Sequence, residues 1–166
     1  MRIAGRGLHP MLVVFPLGLL GVSPLWDVLR LTTGQPSWGH VAFSTIAAGV
    51  ITAIFAAIPG LLDWLAIPEG TPAKRIGLWH MLSSLALVVL FTVSLYLRAN
   101  APGGYAGAGL TALVPAWCGV GLSLVNAWFG GELVERLGAD FDDAVGLATS
   151  SVRRRPRDIV RRRNLR

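Results

Sequence analysis

The chain has 166 residues, of which 53% are hydrophobic and only 14% are charged, and its formal net charge is +6. Soluble globular domains carry about 25% charged residues, so this composition excludes an ordinary soluble enzyme domain. The charges are also unevenly placed, because nine of the fifteen basic residues follow Leu133.

Four apolar segments follow one another along the chain, each about 20 residues long. At about 1.5 Å per residue, such a segment crosses a hydrocarbon core of roughly 30 Å. The segments lack the polar face that a helix of a soluble bundle shows. The sequence therefore predicts an all-α fold, an integral membrane four-helix bundle with antiparallel up-down topology. The predicted spans are residues 10–30, 41–63, 78–98 and 109–131.

The chain is predicted to divide into a four-span transmembrane domain, residues 1–136, and a polar, arginine-rich C-terminal tail, residues 137–166. Each arginine near an anionic leaflet contributes about 1 kcal/mol of attraction. We therefore expect the tail to contact anionic lipid headgroups beside the bilayer. The arginine run, residues 150–166, contains no aromatic residue and no folded module accompanies it, so nucleic acid is not expected as a partner.

The basic residues outside the spans predict the orientation. Arg2 and Arg6 precede the first span, Lys74 and Arg75 lie in the middle connection, and the tail is rich in arginine. Cytoplasmic loops carry an excess of lysine and arginine. Both termini and the middle connection are therefore expected in the cytoplasm, in a multi-pass protein of the bacterial inner (cytoplasmic) membrane.

Proline and small residues in the spans indicate how the helices associate. Pro16 lies within the first span, where it is expected to kink the helix. Small residues let membrane helices approach closely, and they recur every fourth position in two spans. The predicted packing residues are Gly49, Ala53 and Ala57 in the second span, and Gly119, Ser123, Ala127, Gly130 and Gly131 in the fourth.

Polar residues from separate spans are predicted to meet at the cytoplasmic end of the bundle. They are His9, Asp63, His80 and Glu132. Ionisable residues within a membrane span are functional candidates by default. At the opposite end, Asp27, Arg30 and His40 are expected to pair with one another.

Several of these residues lie in motifs that resemble a bacterial membrane-protein family known as domain of unknown function 2231. The first span opens with H-P-x-x-x-x-F-P from His9 to Pro16, and the second ends with G-L-L-D-W from Gly60 to Trp64. His80 near the start of the third span and G-G-E-L, residues 130–133, complete the likeness. The resemblance covers about His9 to Phe141 and implies a four-helix membrane fold without an established activity. Some relatives are fused to Rieske-type iron–sulfur domains, which by analogy implies electron transfer.

The chain departs from the family pattern at two places. Many relatives have a second histidine in the first span, where this chain has Val14, and a histidine after G-G-E-L, where it reads Glu135 to Gly138. These departures weaken a two-haem interpretation.

Three functions remain open from the sequence. The favoured one is a non-catalytic subunit or accessory protein, rather than an enzyme, with a membrane redox partner or a second copy of itself as partner. The alternative is a b-type haem or quinone-linked electron-transfer protein, in which His9 and His80 are the haem ligands on diagonally placed spans. The further alternative is a zinc or iron site formed by His9, Asp63, His80 and Glu132. No inverted repeat is visible, which disfavours transport.

Overall fold

The fold is built from four long helices, as the apolar segments predict. The computed structural model describes residues 2–3 and 6–153, with side chains described for residues 8–105, 107–133 and 135. A two-residue antiparallel pair, β1 (Arg2–Ile3) and β2 (Arg6–Gly7), precedes the bundle. The helices are α1 (Leu8–Thr33), α2 (Ser37–Leu65), α3 (Pro72–Ala99) and α4 (Leu110–Arg153), with a short 3-10 turn at Gly104–Gly107.

The four helices are long and apolar enough to cross a membrane. Their apolar stretches are Leu8–Thr33, Ser37–Leu65, Pro72–Ala99 and Leu110–Leu133, so the predicted four-span membrane bundle is confirmed. Large apolar side chains face outward along every span; for example, Leu124 is 72% exposed and Phe55 is 63% exposed. Surfaces of this kind need lipid around them rather than water. The chain is therefore a multi-pass membrane protein in contact with the bilayer.

The helices form a ring in chain order. The closest packing is between α1 and α2 and between α3 and α4, while α2 with α3 and α1 with α4 complete the ring. Helices α1 and α3 therefore lie on a diagonal of the bundle. Helix α4 continues past the predicted span end, to Arg153. This extension enters the segment predicted as the tail, of which residues 154–166 lie outside the described part of the chain.

The apolar core lies midway along the helices, and it depends on two glycines. It consists of Leu20, Ile46, Val50, Leu87, Phe91 and Ala116. A Cβ atom at Gly49 would come 2.5 Å from the Leu20 side chain, and one at Gly119 would come 2.7 Å from the Phe91 ring. These two glycines therefore allow α2 to approach α1 and α4 to approach α3.

The predicted packing stripes follow the contact face over only part of their length. Ala53 and Ser123 are half-buried, but Ala57, Ala127 and Gly131 are exposed. An α-helix has about 3.6 residues per turn, so each member of a strict four-residue repeat is rotated by about 40° about the helix axis from the one before. Such a repeat therefore leaves the contact face after a few steps. The buried stripe instead reaches Ala56 and Pro59 in α2, and the half-buried Asn126 and Gly130 continue it in α4.

Prolines within the helices do not interrupt them. Helix α1 continues through Pro16 and Pro24, and Pro16 is buried in the bundle. Neighbouring helices cover a proline in this position and reduce the cost of its missing hydrogen bond.

The connection between α2 and α3 is closed by Lys74. Its Nζ donates to the backbone oxygens of Trp64 (3.0 Å) and Ile67 (3.3 Å) and lies 4.0 Å from the centre of the Trp64 ring. It also forms an ion pair with Glu69 at 3.1 Å, although the Glu69 side chain is 86% exposed. Lys74 is thus a buried residue that holds two helix ends together.

Candidate functional site: a histidine pair at one end of the bundle

His9 and His80 meet across the α1–α3 diagonal. Their ring centroids are 6.3 Å apart and the ring planes are nearly perpendicular, at 83°. Both side chains are half-buried. We refer to them together as the histidine pair. The structure therefore brings together two residues that are 71 positions apart in sequence.

Each imidazole is oriented by a backbone carbonyl of the neighbouring helix. His9 Nδ1 lies 2.8 Å from the Ala56 oxygen, and His80 Nδ1 lies 3.1 Å from the Asn126 oxygen. A carbonyl can only accept, so each Nδ1 is the donor, and in the neutral form of each ring Nε2 carries the lone pair. Metal-ligating histidines are usually oriented in this way by a hydrogen bond from the other ring nitrogen.

A glycine makes room for each ring. A Cβ at Gly60 would lie 2.8 Å from His9 Nδ1, and a Cβ at Gly130 would lie 3.3 Å from the Cε1 atom of His80. These glycines belong to the motifs G-L-L-D-W and G-G-E-L, so one glycine of each motif stands against a histidine. The sequence pattern predicts a packing role for Gly130 and no role at this site for Gly60.

A hydroxyl–amide network of Ser83, Ser84 and Asn126 supports the His80 side of the pair. Ser83 Oγ donates to Asn126 Oδ1 at 2.6 Å, and Asn126 Nδ2 donates to Ser84 Oγ at 3.0 Å. The same asparagine accepts from His80 through its backbone oxygen. The network therefore links α3 to α4 beside the histidine, where a spacing pattern alone predicted no contact.

The four-ligand metal set predicted from the sequence is not formed. Asp63 and Glu132 are half-buried, but the part of the chain that the structure describes holds no group of three or more His, Cys, Asp or Glu side chains placed for a metal ion. Both carboxylates have interactions of their own. A shared height on the bundle does not by itself bring side chains to one face, and the four residues do not form one ligand set.

The opposite end holds a second diagonal pair, between Asp27 and Arg98. Arg98 donates from Nη1 to Asp27 Oδ1 (2.8 Å) and from Nη2 to Oδ2 (2.6 Å), and both side chains are fully buried. Arg98 Nε donates to Ser94 Oγ at 3.1 Å, and Ser94 Oγ in turn donates to the Ala112 oxygen at 2.6 Å. This geometry satisfies a bidentate arginine–carboxylate pair.

The expected pairing of Asp27 with Arg30 and His40 is therefore wrong. Arg30 Nη2 donates to the Ala108 oxygen at 2.5 Å, and the ring of His40, an exposed residue, lies 5.6 Å from that of Tyr105. Arg98 is the partner of Asp27 because it reaches the carboxylate across the diagonal of the bundle. Both side chains are fully buried there, and a buried carboxylate is costly without a paired charge.

The two glycines at the histidine pair should differ in their tolerance of alanine. Gly60→Ala should displace His9 and break its bond to Ala56, because overpacking of a closed contact costs about 1–3 kcal/mol. Gly130→Ala should perturb His80 less, since a Cβ at position 130 would lie 3.3 Å from the Cε1 atom of His80. Gly21→Ala is the matched control, because it is exposed and nothing lies within 4 Å of its Cβ. Thermal melting of the purified variants should rank Gly60→Ala lowest; equal melting of all three would contradict the close contact.

The comparisons with known proteins agree with this architecture. The family model described as "Predicted membrane protein (DUF2231)" matches residues 5–143. The chain therefore belongs to this family, as the motifs indicate. No curated protein and no solved structure matches the chain.

Proposed function

We propose that this member of a family of predicted membrane proteins is a non-catalytic electron-transfer subunit that holds one b-type haem between His9 and His80. The observation that supports the proposal is the orientation of the pair, in which each Nδ1 donates to a backbone carbonyl and Nε2 of each neutral ring is left as the ligating atom. Four-helix bundles commonly bind cofactors through side chains of facing helices.

The separation of the rings suits two imidazoles on one metal centre. Two metal–imidazole bonds of about 2.0–2.1 Å would allow the two ligating nitrogens to be up to about 4 Å apart. Each ring centroid lies about 1 Å behind its nitrogen, so the centroids would be about 6 Å apart. The observed value is 6.3 Å.

A haem bound here would supply one-electron exchange, while the chain supplies ligation and orientation. The carbonyls of Ala56 and Asn126 hold the rings in one tautomer and increase their basicity as ligands. Gly60 and Gly130 leave the rings their space. The apolar core around Leu20 and Phe91 separates this end of the bundle from the Asp27–Arg98 end.

The proposed orientation places the histidine pair on the cytoplasmic side of the bacterial inner membrane. Support comes from Lys74 and Arg75 at the connection on this end and from the arginine-rich tail, because basic residues are retained in the cytoplasm. A reporter that is active only in the cytoplasm, fused to the C-terminus, should be active; an inactive fusion of a stable protein would reverse the orientation.

The second prediction tests the function by titration. Purified protein freed of metal in detergent should bind added haemin saturably at one per chain, with an absorption band of six-coordinate, bis-histidine haem. A parallel titration with Zn²⁺ tests a bare ion as the occupant. Saturable zinc binding without haemin binding would reject the haem and retain a two-histidine metal site. Binding of neither probe would overturn the proposed function.

A further inference from the structure

The helical hairpins α1–α2 and α3–α4 bury side chains in the same pattern. The buried residues of α1 are Pro16, Leu20, Ser23 and Asp27, and the last four buried residues of α3 are Leu87, Phe91, Ser94 and Arg98. Each member of the first set corresponds to a member of the second at an offset of 71 residues. His9 and His80 are separated by the same offset.

The partner helices repeat the pattern at an offset of 70 residues. Gly49 of α2 stands against Leu20, and its counterpart Gly119 of α4 stands against Phe91, which is the counterpart of Leu20. The buried residues Ala42 and Ile46 correspond in the same way to the buried Ala112 and Ala116. Two hairpins therefore share their contacts as well as their helix positions.

The surroundings of the histidines repeat too. In the first hairpin, His9 bonds to the carbonyl four residues before Gly60 and rests against that glycine. In the second, His80 bonds to the carbonyl four residues before Gly130 and rests against that glycine. Each hairpin thus contacts its imidazole in the same way, with one carbonyl acceptor and one glycine.

We infer that the chain consists of two copies of one helical hairpin, related by a pseudo-two-fold axis, and that His9 and His80 are equivalent half-sites for one ligand on that axis. Helices α1 and α3 run in the same direction, so the axis runs along the bundle, as in membrane proteins with parallel repeats. Equivalent positions that touch each other must straddle such an axis. The histidine pair does so at one end, and Asp27 with Arg98 does so at the other, about 27 Å further along α1.

The ligand class follows from the symmetry. Two equivalent imidazoles on an axis suit a single transition-metal centre that both ligate in the same way. This part of the inference rests on the proposed function, whereas the repeat itself does not.

The third prediction tests the axis by exchanging the buried charges. Asp27→Arg alone places two arginines together, and Arg98→Asp alone places two aspartates together, so each should lower the melting temperature by about 10 °C or more. The double variant Asp27→Arg/Arg98→Asp should recover most of this loss, because the two positions are equivalent and face each other.

Ser23 provides a sharper test within the same experiment. It is the counterpart of Ser94 and is equally buried, and its hydroxyl donates to the Leu20 oxygen. Ser94 accepts a hydrogen bond from Arg98, and Ser23 does not. In the exchanged protein, the arginine introduced at position 27 should use Ser23 as Arg98 uses Ser94. Ser94→Ala should therefore lower the melting temperature more than Ser23→Ala in the natural protein, and less in the exchanged one.

The outcomes separate the repeat from the haem. Recovery in the double variant, with the reversed order of the serine effects, supports the axis whether or not any metal binds. A double variant no more stable than the single variants, or one that fails to accumulate in the membrane, would overturn it. If the axis holds but haemin does not bind, only the proposed ligand fails.

Discussion

Arg98→Ala should destabilise the protein by about 3–5 kcal/mol, because it leaves the Asp27 carboxylate buried without a partner. The guanidinium donates two bonds of 2.8 and 2.6 Å to that carboxylate, and both side chains are fully buried. An unpaired charge within the membrane is costly. Thermal melting in detergent, followed by tryptophan fluorescence, should show the loss, and Asp27→Ala should show a comparable one.

Two controls define what this loss means. Asp27→Leu/Arg98→Met removes both charges and keeps the volume, and it should melt close to the natural protein, since apolar replacement of a whole buried pair is often neutral or stabilising. Glu69→Ala breaks the ion pair with Lys74, whose acidic partner is 86% exposed, and should have little effect. If Arg98→Ala were as mild as Glu69→Ala, the diagonal pair would have no role in stability.

His9→Ala and His80→Ala should each abolish high-affinity haemin binding, because each removes one of two ligands to the same metal centre. Loss of a second-shell partner alone lowers metal affinity about 10–100-fold, so loss of a direct ligand should exceed this range. Equivalent half-sites predict similar losses for the two variants. Titration of each purified variant with haemin, with the absorption spectrum as readout, measures both effects.

His40→Ala is the matched control for these variants. It also removes a histidine from a span, but His40 is exposed at the other end of the bundle and lies beside Tyr105. Its affinity for haemin should be unchanged. Equal loss in all three variants would indicate non-specific haemin binding and contradict the assigned site.

The fold was predictable from the sequence because lipid imposes one strong rule. A chain with four apolar segments of spanning length must form helices, since backbone groups have no water to bond in the bilayer core. The helix-rich bundle and the diagonal placement of His9 and His80 followed from segment length and order. Helix ends were less predictable, as α4 continues to Arg153 without the apolar character that marks a span.

The partners of the polar residues were harder to predict, because they depend on helix rotation. Height along the membrane grouped Asp63 and Glu132 with the histidines, but rotation about the helix axis decides which of them meet. The same limitation hid Arg98 as the partner of Asp27. The offset of 71 residues can be found in the sequence, but few positions carry the same residue at that offset. His9 with His80 and Ser23 with Ser94 are two of them. Burial and contacts make the repeat apparent.

The most direct test of the central claim is the absorption spectrum of the protein purified from membranes of cells supplied with haem precursor, oxidised and then reduced with dithionite. A bis-histidine haem held by His9 and His80 predicts a Soret band that shifts and sharpens on reduction, at one haem per chain, and that is absent from His80→Ala prepared alongside. A colourless natural protein that still melts cooperatively and does not take up added haemin would contradict the claim.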